Sequence, residues 1–319
     1  VAACAKHFAV NNQESHRFVV CATIDERTLR ELYLRHFEMV VKEANPLSMM
    51  CAYNKVNGQY CSEQEYLNVK VLREEWGYDG LLMSDWGAVN DRPAGIRAQL
   101  DLEMPGSHGV HNREIRAALS NGQLTEAEID TCAQRVLTFI ERVRKDGPHR
   151  DQDPSGSLGS QRTISWPAQH DIAKKTALEC AVLLQNKDRF LPLDSDQVTS
   201  VAVIGGFGKS FPRYQGMGSS HVHAEWVRHA YDEVYRFCEN VSFAPGYEED
   251  EDDVEIVNED LLQEAVDVAQ AAQVVLLCIG LPEIIESEGF DRPHMKLPAQ
   301  HNALVTEICK VNPNVVVVL

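Results

Sequence analysis

The sequence predicts an α/β protein with parallel sheets in two domains. Short apolar segments alternate with amphipathic helical patterns along both halves of the chain. This alternation is typical of βα units, in which consecutive strands run parallel. Between the halves, residues 146–165 lose the periodicity and are rich in Asp, Pro, Gly and Ser, the composition of an exposed linker. We therefore predict domains at 1–145 and 167–319, joined by a linker at 146–166.

Local signals support each element of the first half. Asp25, Ser62 and Thr125 are suitable N-cap residues, and Ser62 and Thr125 are each followed three residues later by Glu, the spacing of a capping box. The predicted strands span residues 2–8, 47–53, 80–84 and 97–102, and the predicted helices span 25–44, 62–77, 112–120 and 125–146. A closed eight-stranded barrel needs about 250 residues, so this sheet is either open or part of a longer barrel.

The second half repeats the alternation and ends on a strand. Strands are predicted at 198–205, 241–243, 274–280 and 315–319, and helices at 168–185, 226–238, 259–272 and 298–311. An acidic run at 248–253 lacks the glycine of a calcium loop and is interpreted as a solvated surface segment.

Composition and charge narrow the function classes. The 319 residues are 44% hydrophobic and 24% charged, which is typical of a globular protein. A formal net charge of −18 argues against nucleic acid or an anionic membrane surface as a partner. No apolar run approaches the roughly 18 residues of a spanning helix.

Cysteine usage favours a reducing compartment such as the cytoplasm. The nine cysteines form no CxxC pair, so neither a zinc ribbon nor a full disulfide framework is predicted. Cys51 and Cys61 flank a loop and could form a bridge in an oxidising compartment. Buried free thiols are predicted at five positions in apolar, periodic contexts: Cys4, Cys132, Cys180, Cys278 and Cys309.

Several cofactor and catalytic motifs are excluded. Residues 203–210 end like a phosphate loop, but Val203 stands where its first Gly is required, and a dinucleotide motif fails at Phe211. No serine lies in a GxSxG elbow, and the histidines form no HExxH metal motif. We therefore expect no cofactor and no metal.

Polar side chains follow three of the predicted strands. Lys6-His7, Tyr53 and Asp85-Trp86 each stand where an apolar segment ends. Any one of them alone is more typical of a structural residue. Ligand sites of parallel α/β folds gather beyond the carboxyl ends of strands, however, so their coincidence predicts a shared site.

A second candidate segment follows the strand at 274–280. Four carboxylates stand at Glu283, Glu286, Glu288 and Asp291. The segment is either a solvated loop or a mobile loop that delivers a carboxylic acid. Two carboxyl groups together with aromatic side chains suit the cleavage of glycosides, which proceeds through an oxocarbenium-like transition state.

At these residues the sequence resembles the β-glucosidases of glycoside hydrolase family 3. The resemblance covers nearly the whole chain, in order. It is carried by these segments: Lys6-His7-Phe8, Asn11 to Arg17, Met50 to Gly58, Gly80 to Gly87, Leu100 to Gly106, Val182 to Asn186, Leu191-Pro192-Leu193, Arg213 to Ser220 and Glu286 to Arg292. It implies part of a (β/α)8 TIM-type barrel followed by an incomplete α/β sandwich domain.

The resemblance also implies roles for individual residues. Asp85 matches the nucleophile, and Glu288 matches the acid/base, with Glu286 as the rival. The remaining matches are to sugar-binding positions: Lys6, His7, Arg17, Tyr53 and Trp86. Because family members carry earlier barrel strands, the resemblance further implies that this chain is a fragment.

The implied activity is that of a retaining, exo-acting β-glycosidase acting on small or oligosaccharide β-glycosides, with β-glucosidase favoured. The alternatives are a β-xylosidase or exo-glucanase of the same family, or a non-catalytic carbohydrate-binding relative. The N-acetylglucosaminidase branch carries KHxPGHG, whereas Phe8-Ala9-Val10-Asn11-Asn12 follows Lys6-His7 here, which disfavours that branch.

Overall fold

A computed structural model describes residues 2–145, 165–248 and 255–319 of the chain, apart from the side chain of Ser220. The chain divides into two units, Val1–Trp166 and Pro167–Leu319. Each contains a parallel sheet together with helices, so the predicted α/β class is confirmed. No helix within the described ranges is long and apolar enough to cross a membrane.

The main sheet of the first unit has three parallel strands in the order β1-β3-β6. A fourth segment contributes a single parallel bridge between Met83 and Leu102. A small second sheet has the order β2-β4-β5, with β4 and β5 antiparallel. The strands are β1 (Cys4–Phe8), β2 (Cys21–Ala22), β3 (Ser48–Cys51), β4 (Lys55–Val56), β5 (Gln59–Tyr60) and β6 (Leu81–Met83).

The pairing of β1 with β3 is irregular near the carboxyl end of β1. Ala5 pairs with Met49 and Phe8 pairs with Cys51, so β1 holds one extra residue over this stretch. Such a bulge changes the direction of the side chains that it carries. Lys6 and His7 occupy the bulge, which fits their predicted role as ligand-facing residues.

The helices of the first unit begin and end largely where capping predicts. Asp25 accepts a hydrogen bond from the Thr28 amide at 2.9 Å, and Asn45 ends this helical region in the left-handed conformation. Thr125 and Glu128 form the predicted capping box. The helical segments are Glu26–Thr28, Leu29–Tyr33, Arg35–Met39, Val40–Ala44, Cys61–Glu63, Tyr66–Glu75, Arg92–Arg97, Val110–Ser120 and Glu126–Lys145.

Two predictions for the first unit are wrong. Ser62 does not cap a helix, because it is buried and its hydroxyl donates to the Ala88 carbonyl at 3.1 Å. The predicted strand at 97–102 is mostly absent, since a helix capped by Asp91 runs to Arg97 and only Leu102 pairs with β6. In both cases a contact with a distant part of the unit outweighs the local pattern.

The second unit has four parallel strands in the order β10-β9-β7-β8. Gly205 follows β7 with φ of +106°, and a Cβ there would lie 2.0 Å from the Cys278 carbonyl oxygen, so a side chain is excluded. The strands are β7 (Val201–Ile204), β8 (Val241–Ala244), β9 (Val274–Cys278) and β10 (Val315–Val318). The helical segments are Trp166–Cys180, Lys187–Arg189, Gly206–Gly208, Gly218–Ser220, Ala230–Val234, Glu259–Ala271 and Ala299–Val311.

Some expectations for the second unit are corrected. The helix predicted at 226–238 is reduced to Ala230–Val234, and the first helix ends at Cys180 rather than at 185. Cys180 and Cys309 are exposed rather than buried. In the first unit, Cys4 is only partly buried, and Cys51 and Cys61 are buried free thiols. Most of the predicted linker and residues 249–253 of the acidic run lie outside the described residues.

Candidate active site

Three predicted site residues meet at one edge of the first sheet. Because β1, β3 and β6 are parallel, His7, Tyr53 and Asp85 all lie at the carboxyl ends of their strands. His7 Nε2 lies 3.4 Å from Asp85 Oδ2, which brings the ends of β1 and β6 together across β3. The fold therefore brings these three residues to the same edge of the sheet, as the sequence predicts.

Asp85 is held by the backbone that follows it. Its side chain is buried, with 8% of the residue exposed, and Oδ1 accepts a hydrogen bond from the Trp86 amide at 2.7 Å. The Asp85 carbonyl accepts from the Ala88 amide at 3.1 Å. These bonds fix the carboxylate, with Oδ2 on the side of His7.

Ser84 anchors the residue before Asp85 to the neighbouring segment. Its hydroxyl accepts from the Met104 amide at 2.7 Å and donates to the Met104 carbonyl at 3.2 Å. Ser84 is fully buried. The hydroxyl is thus committed to the backbone, which agrees with the absence of a nucleophilic serine motif.

His7 favours its neutral form. Burial lowers the pKa of His7, and the negative charge of Asp85 opposes this shift without reversing it. A neutral imidazole can offer one N–H group as a donor and one nitrogen as an acceptor. His7 therefore suits hydroxyl recognition next to a carboxylate.

Tyr53 joins this group to Trp86. The Tyr53 hydroxyl donates to the Trp86 carbonyl at 3.0 Å, and Tyr53 is 7% exposed. Trp86 itself is 54% exposed. The residue that follows the buried Asp85 is thus a largely exposed tryptophan.

Arg17 contacts the ring of Tyr53. Its guanidinium carbon is 5.2 Å from the centre of the Tyr53 ring, within the range of a cation–π contact. The guanidinium also pairs with Glu14 at 2.9 Å. Lys6 is exposed, and among the described residues it has no hydrogen bond or ion pair.

In the second unit, Glu288 is held by Ser219. Glu288 Oε2 accepts from both the amide and the hydroxyl of Ser219, each at 2.8 Å. Gly218 permits this approach, because a Cβ at that position would lie 2.3 Å from the same oxygen. Glu288 and Ser219 are both exposed.

The other carboxylates of this segment have different surroundings. Glu283 pairs with Arg213 at 2.9 Å. Glu286 is exposed, and its carboxylate has no hydrogen bond within the described part of the chain. Glu288 is therefore the better positioned of the two acid candidates, Glu286 and Glu288.

Sequence reasoning missed three residues of these groups. Phe18 packs against Tyr53, and Gly218 and Ser219 contact Glu288. A weak signal existed for Gly218 and Ser219, since they belong to the resembling segment that ends at Ser220. Within the described ranges, no three side chains from His, Cys, Asp and Glu converge as metal ligands would.

Comparison with known proteins identifies two matching family domains. Residues 1–139 match the glycosyl hydrolase family 3 N terminal domain. Residues 181–319 match the glycosyl hydrolase family 3 C-terminal domain. The two matches leave residues 140–180 uncovered, a stretch that includes the predicted linker.

Individual relatives agree with these matches. The chain is 42% identical to the thermostable beta-glucosidase B of Acetivibrio thermocellus, over all of this chain and 40% of that protein. It is 40% identical to an exo-alpha-(1->6)-L-arabinopyranosidase of Bifidobacterium longum, over 98% of this chain and 40% of that protein. The crystal structure of the Bifidobacterium adolescentis GH3 beta-glucosidase superposes with a TM-score of 0.84 at 38% identity, covering 99% of this chain and 44% of that one.

The chain thus spans about two fifths of the length of the curated relatives that it matches. The predicted fold, part of a TIM-type barrel followed by an α/β domain, is confirmed by the matched domains and by the superposition. Matches of this identity along the full length of the chain show common descent, and the chain belongs to glycoside hydrolase family 3.

Proposed function

We propose that this protein is a retaining, exo-acting β-glucosidase that releases β-D-glucose from the non-reducing end of small or oligosaccharide β-glycosides. The observation that carries the proposal is the buried Asp85 carboxylate, which lies at the end of β6 with His7 at 3.4 Å and the exposed Trp86 next in the chain. The name of the Acetivibrio thermocellus relative supports glucose as the sugar.

Asp85 is the proposed nucleophile. Its Oδ1 is bound by the Trp86 amide, so Oδ2 is the oxygen that attacks the anomeric carbon. The attack forms a covalent glycosyl-enzyme and breaks the bond to the leaving oxygen. Burial favours this role, because few waters compete for the carboxylate.

Glu288 is the proposed acid/base. In its protonated form it donates a proton to the leaving oxygen, and in the second step it accepts a proton from the water that hydrolyses the glycosyl-enzyme. The two hydrogen bonds from Ser219 support Glu288 over Glu286, since they hold the Glu288 carboxyl group in one position.

The remaining residues are proposed to bind the substrate. Lys6, His7 and Arg17 supply charged and neutral donors for the hydroxyl groups of the terminal sugar. Tyr53 lines the same subsite, and Trp86 offers a platform for the leaving group. This division follows the chemistry of the groups, because hydroxyls need polar partners whereas sugar faces and aglycones pack on rings.

Covalent trapping tests the nucleophile. A 2-fluoro-glucoside with a good leaving group should label the peptide that contains Asp85, and labelling of any other peptide contradicts the assignment. Glu288→Ala should slow substrates with poor leaving groups far more than activated aryl glucosides. If Glu286→Ala shows this selectivity instead, the acid/base role belongs to Glu286.

A second sugar specificity has one supporting observation. The Bifidobacterium longum relative, which is 40% identical to this chain, is named an exo-alpha-(1->6)-L-arabinopyranosidase. Rates on p-nitrophenyl β-D-glucoside, β-D-xyloside and α-L-arabinopyranoside separate the candidates. The proposal of a β-glucosidase fails if the glucoside is not the best of the three.

A further inference from the structure

Two segments of the second unit leave the sheet side by side and meet again at Glu288. Residues 205–220 follow β7, and residues 279–292 follow β9. Because β7 and β9 are neighbouring parallel strands, both segments start at the same edge of the sheet. Near their far ends, the amide and hydroxyl of Ser219 bind Glu288. The two segments must therefore be held in register for this contact to form.

Tyr247 joins the starts of the two segments. Its hydroxyl accepts a hydrogen bond from the Phe207 amide and donates one to the Cys278 carbonyl, each at 3.0 Å. Tyr247 is 2% exposed, so this link is buried. Phe211 packs against Phe207 with ring centres 5.4 Å apart, which holds the first segment as far as position 211.

Arg213 and Glu283 join the two segments a second time. Arg213 Nη1 lies 2.9 Å from Glu283 Oε1, and the two side chains are 20% and 32% exposed. An ion pair that is partly buried on both sides is screened less than a fully exposed pair. The Pro282 carbonyl accepts hydrogen bonds from the amides of Ile285 and Glu286 at 3.0 and 3.1 Å. Glu283 therefore belongs to a turn whose backbone is itself held.

The spacing of these links makes the ion pair relevant to Glu288. Arg213 precedes Ser219 by six residues, and Glu283 precedes Glu288 by five. Measured from the link at Tyr247 instead, the two stretches are twelve and ten residues long. Shorter stretches leave less conformational freedom to be lost when the second contact forms. The ion pair should therefore favour the contact between Ser219 and Glu288.

We propose that Arg213 is a positioning residue for Glu288, and that its ion pair with Glu283 holds the Glu288 carboxyl group against Ser219. The inference deepens the proposed function and rests on it for the role of Glu288 as acid/base. There are two competing explanations. Arg213 and Glu283 form a surface ion pair without a role in catalysis, or Arg213 contacts the substrate directly.

Hydrogen exchange of the Ser219 amide tests the positioning without requiring turnover. This amide donates to Glu288, so its exchange rate, measured by NMR, reports how often the contact opens. We expect Arg213→Gln and Glu283→Gln each to raise this rate about fivefold, the upper end of what ion pairs of this exposure contribute. The double variant should raise it no further, because the two residues act as one unit.

Arg228→Gln is the matched control. The Arg228 guanidinium pairs with Glu233 at the same distance of 2.9 Å in the same unit, so the variant removes the same charge from a different ion pair. Kinetics provide a second measurement. Arg213→Gln should lower kcat about fivefold for poor leaving groups and leave both KM and the rate on activated aryl glucosides nearly unchanged. Arg213→Lys keeps a positive charge for Glu283 and should recover part of both effects.

An unchanged exchange rate of the Ser219 amide in Arg213→Gln overturns the proposal, as does an equal rise in Arg228→Gln. Additive effects in the double variant also overturn it, since they show that Arg213 and Glu283 act separately. A raised KM with the same loss for every leaving group would place Arg213 at the substrate and overturn the positioning role. If the protein releases no glucose from p-nitrophenyl β-D-glucoside, the proposed function fails, whereas the exchange rates still decide whether Arg213 positions Glu288.

Discussion

Gly218 determines how closely Glu288 can approach the backbone of its partner segment. A Cβ added at Gly218 would lie 2.3 Å from Glu288 Oε2 and 2.5 Å from Glu288 Cβ. Its φ of +82° is also one that residues with side chains rarely adopt. The two hydrogen bonds from Ser219 to Glu288 therefore depend on a glycine at position 218.

We expect Gly218→Ala to displace the Glu288 carboxylate and to lower kcat/KM for aryl β-glucosides about a hundredfold, since a shift of about 1 Å in a reacting group has this effect. Gly122→Ala is the control. It introduces a Cβ at φ of +77° with no atom within 4 Å, so it carries the backbone strain alone. Equal losses in the two variants would attribute the effect to strain rather than to Glu288.

Ser219 is predicted to act as a positioning residue for Glu288. Ser219→Ala removes the hydroxyl donor and keeps the amide donor, so we expect a loss of about tenfold in kcat for poor leaving groups. Activated aryl glucosides should be nearly unaffected, because they need little proton donation. Ser287→Ala is the matched control, since its hydroxyl donates to the Glu288 carbonyl rather than to the carboxylate. A loss independent of the leaving group would argue against positioning.

The residues that follow strands could be predicted from sequence, whereas their partners could not. Asp85 and Tyr53 interrupt apolar segments, and parallel strands bring their ends to one edge. The contact between Ser219 and Glu288 spans 69 positions, and nothing in the local pattern of either segment specifies it. The contact between the rings of Phe18 and Tyr53 depends in the same way on the turn after β1.

At the scale of elements, a buried ion network fixes the segment beside β6. The Asp101 carboxylate accepts hydrogen bonds from Arg73 at 2.8 Å, from Arg135 at 3.1 Å and from the Leu82 amide at 2.8 Å. The side chain of Asp101 is fully buried, and that of Arg73 is 6% exposed. Burial raises the pKa of Asp101, and the two guanidinium groups oppose this shift.

We expect Asp101→Asn to lower the free energy of unfolding by about 3–5 kcal/mol, because it leaves the buried Arg73 without a compensating charge. The matched control is Asp79→Asn, which breaks the pair with Arg142. The side chains of that pair are 55% and 37% exposed, so its loss should cost less than about 1 kcal/mol. Urea unfolding of the protein measures both. Similar values for the two variants would show that Asp101 is not held as an ion.

Local sequence signals predict an element correctly where the signalling side chain is exposed, and fail where it is buried. The helices after Asp25 and Thr125 begin where these N-cap residues predict. Both N-cap side chains are exposed, so only water competes for their capping hydrogen bonds. The same pattern predicts an N-cap at Ser62, but the Ser62 hydroxyl is buried and donates to the Ala88 carbonyl instead. Residues 97–102 have the sequence pattern of a strand. In the structure, however, backbone carbonyls of this segment and the Asp101 carboxylate accept hydrogen bonds from arginine side chains.

At the scale of the molecule, composition predicts two domains, and the structure divides after Trp166. The assignment of 146–166 as a linker stays a prediction, because most of this segment lies outside the described residues. The hydrophobic periodicity of the sequence could predict the parallel sheets of both halves, since strands that alternate with helices along the chain form parallel sheets. It could not predict the order β10-β9-β7-β8, which depends on side-chain packing between the sheet and its helices.

The acid stability of the protein is predicted to depend on His301. This residue is 1% exposed, packs with its ring centre 4.1 Å from that of Tyr247, and accepts a hydrogen bond from the Gly280 amide. Burial lowers the pKa of His301 from 6.5 to about 4. Between these values the unfolded chain binds a proton that the folded chain does not, so the free energy of unfolding falls as the pH decreases.

We expect this difference to reach about 3 kcal/mol between pH 7 and pH 4. His301→Gln keeps an acceptor for the Gly280 amide but cannot titrate, so its free energy of unfolding should fall less steeply with decreasing pH, even if it is lower at pH 7. His36→Gln, at an exposed position, should keep the wild-type slope. Urea unfolding at closely spaced pH values measures all three proteins. A slope for His301→Gln equal to that of the wild-type protein would show that protonation of His301 does not drive acid unfolding.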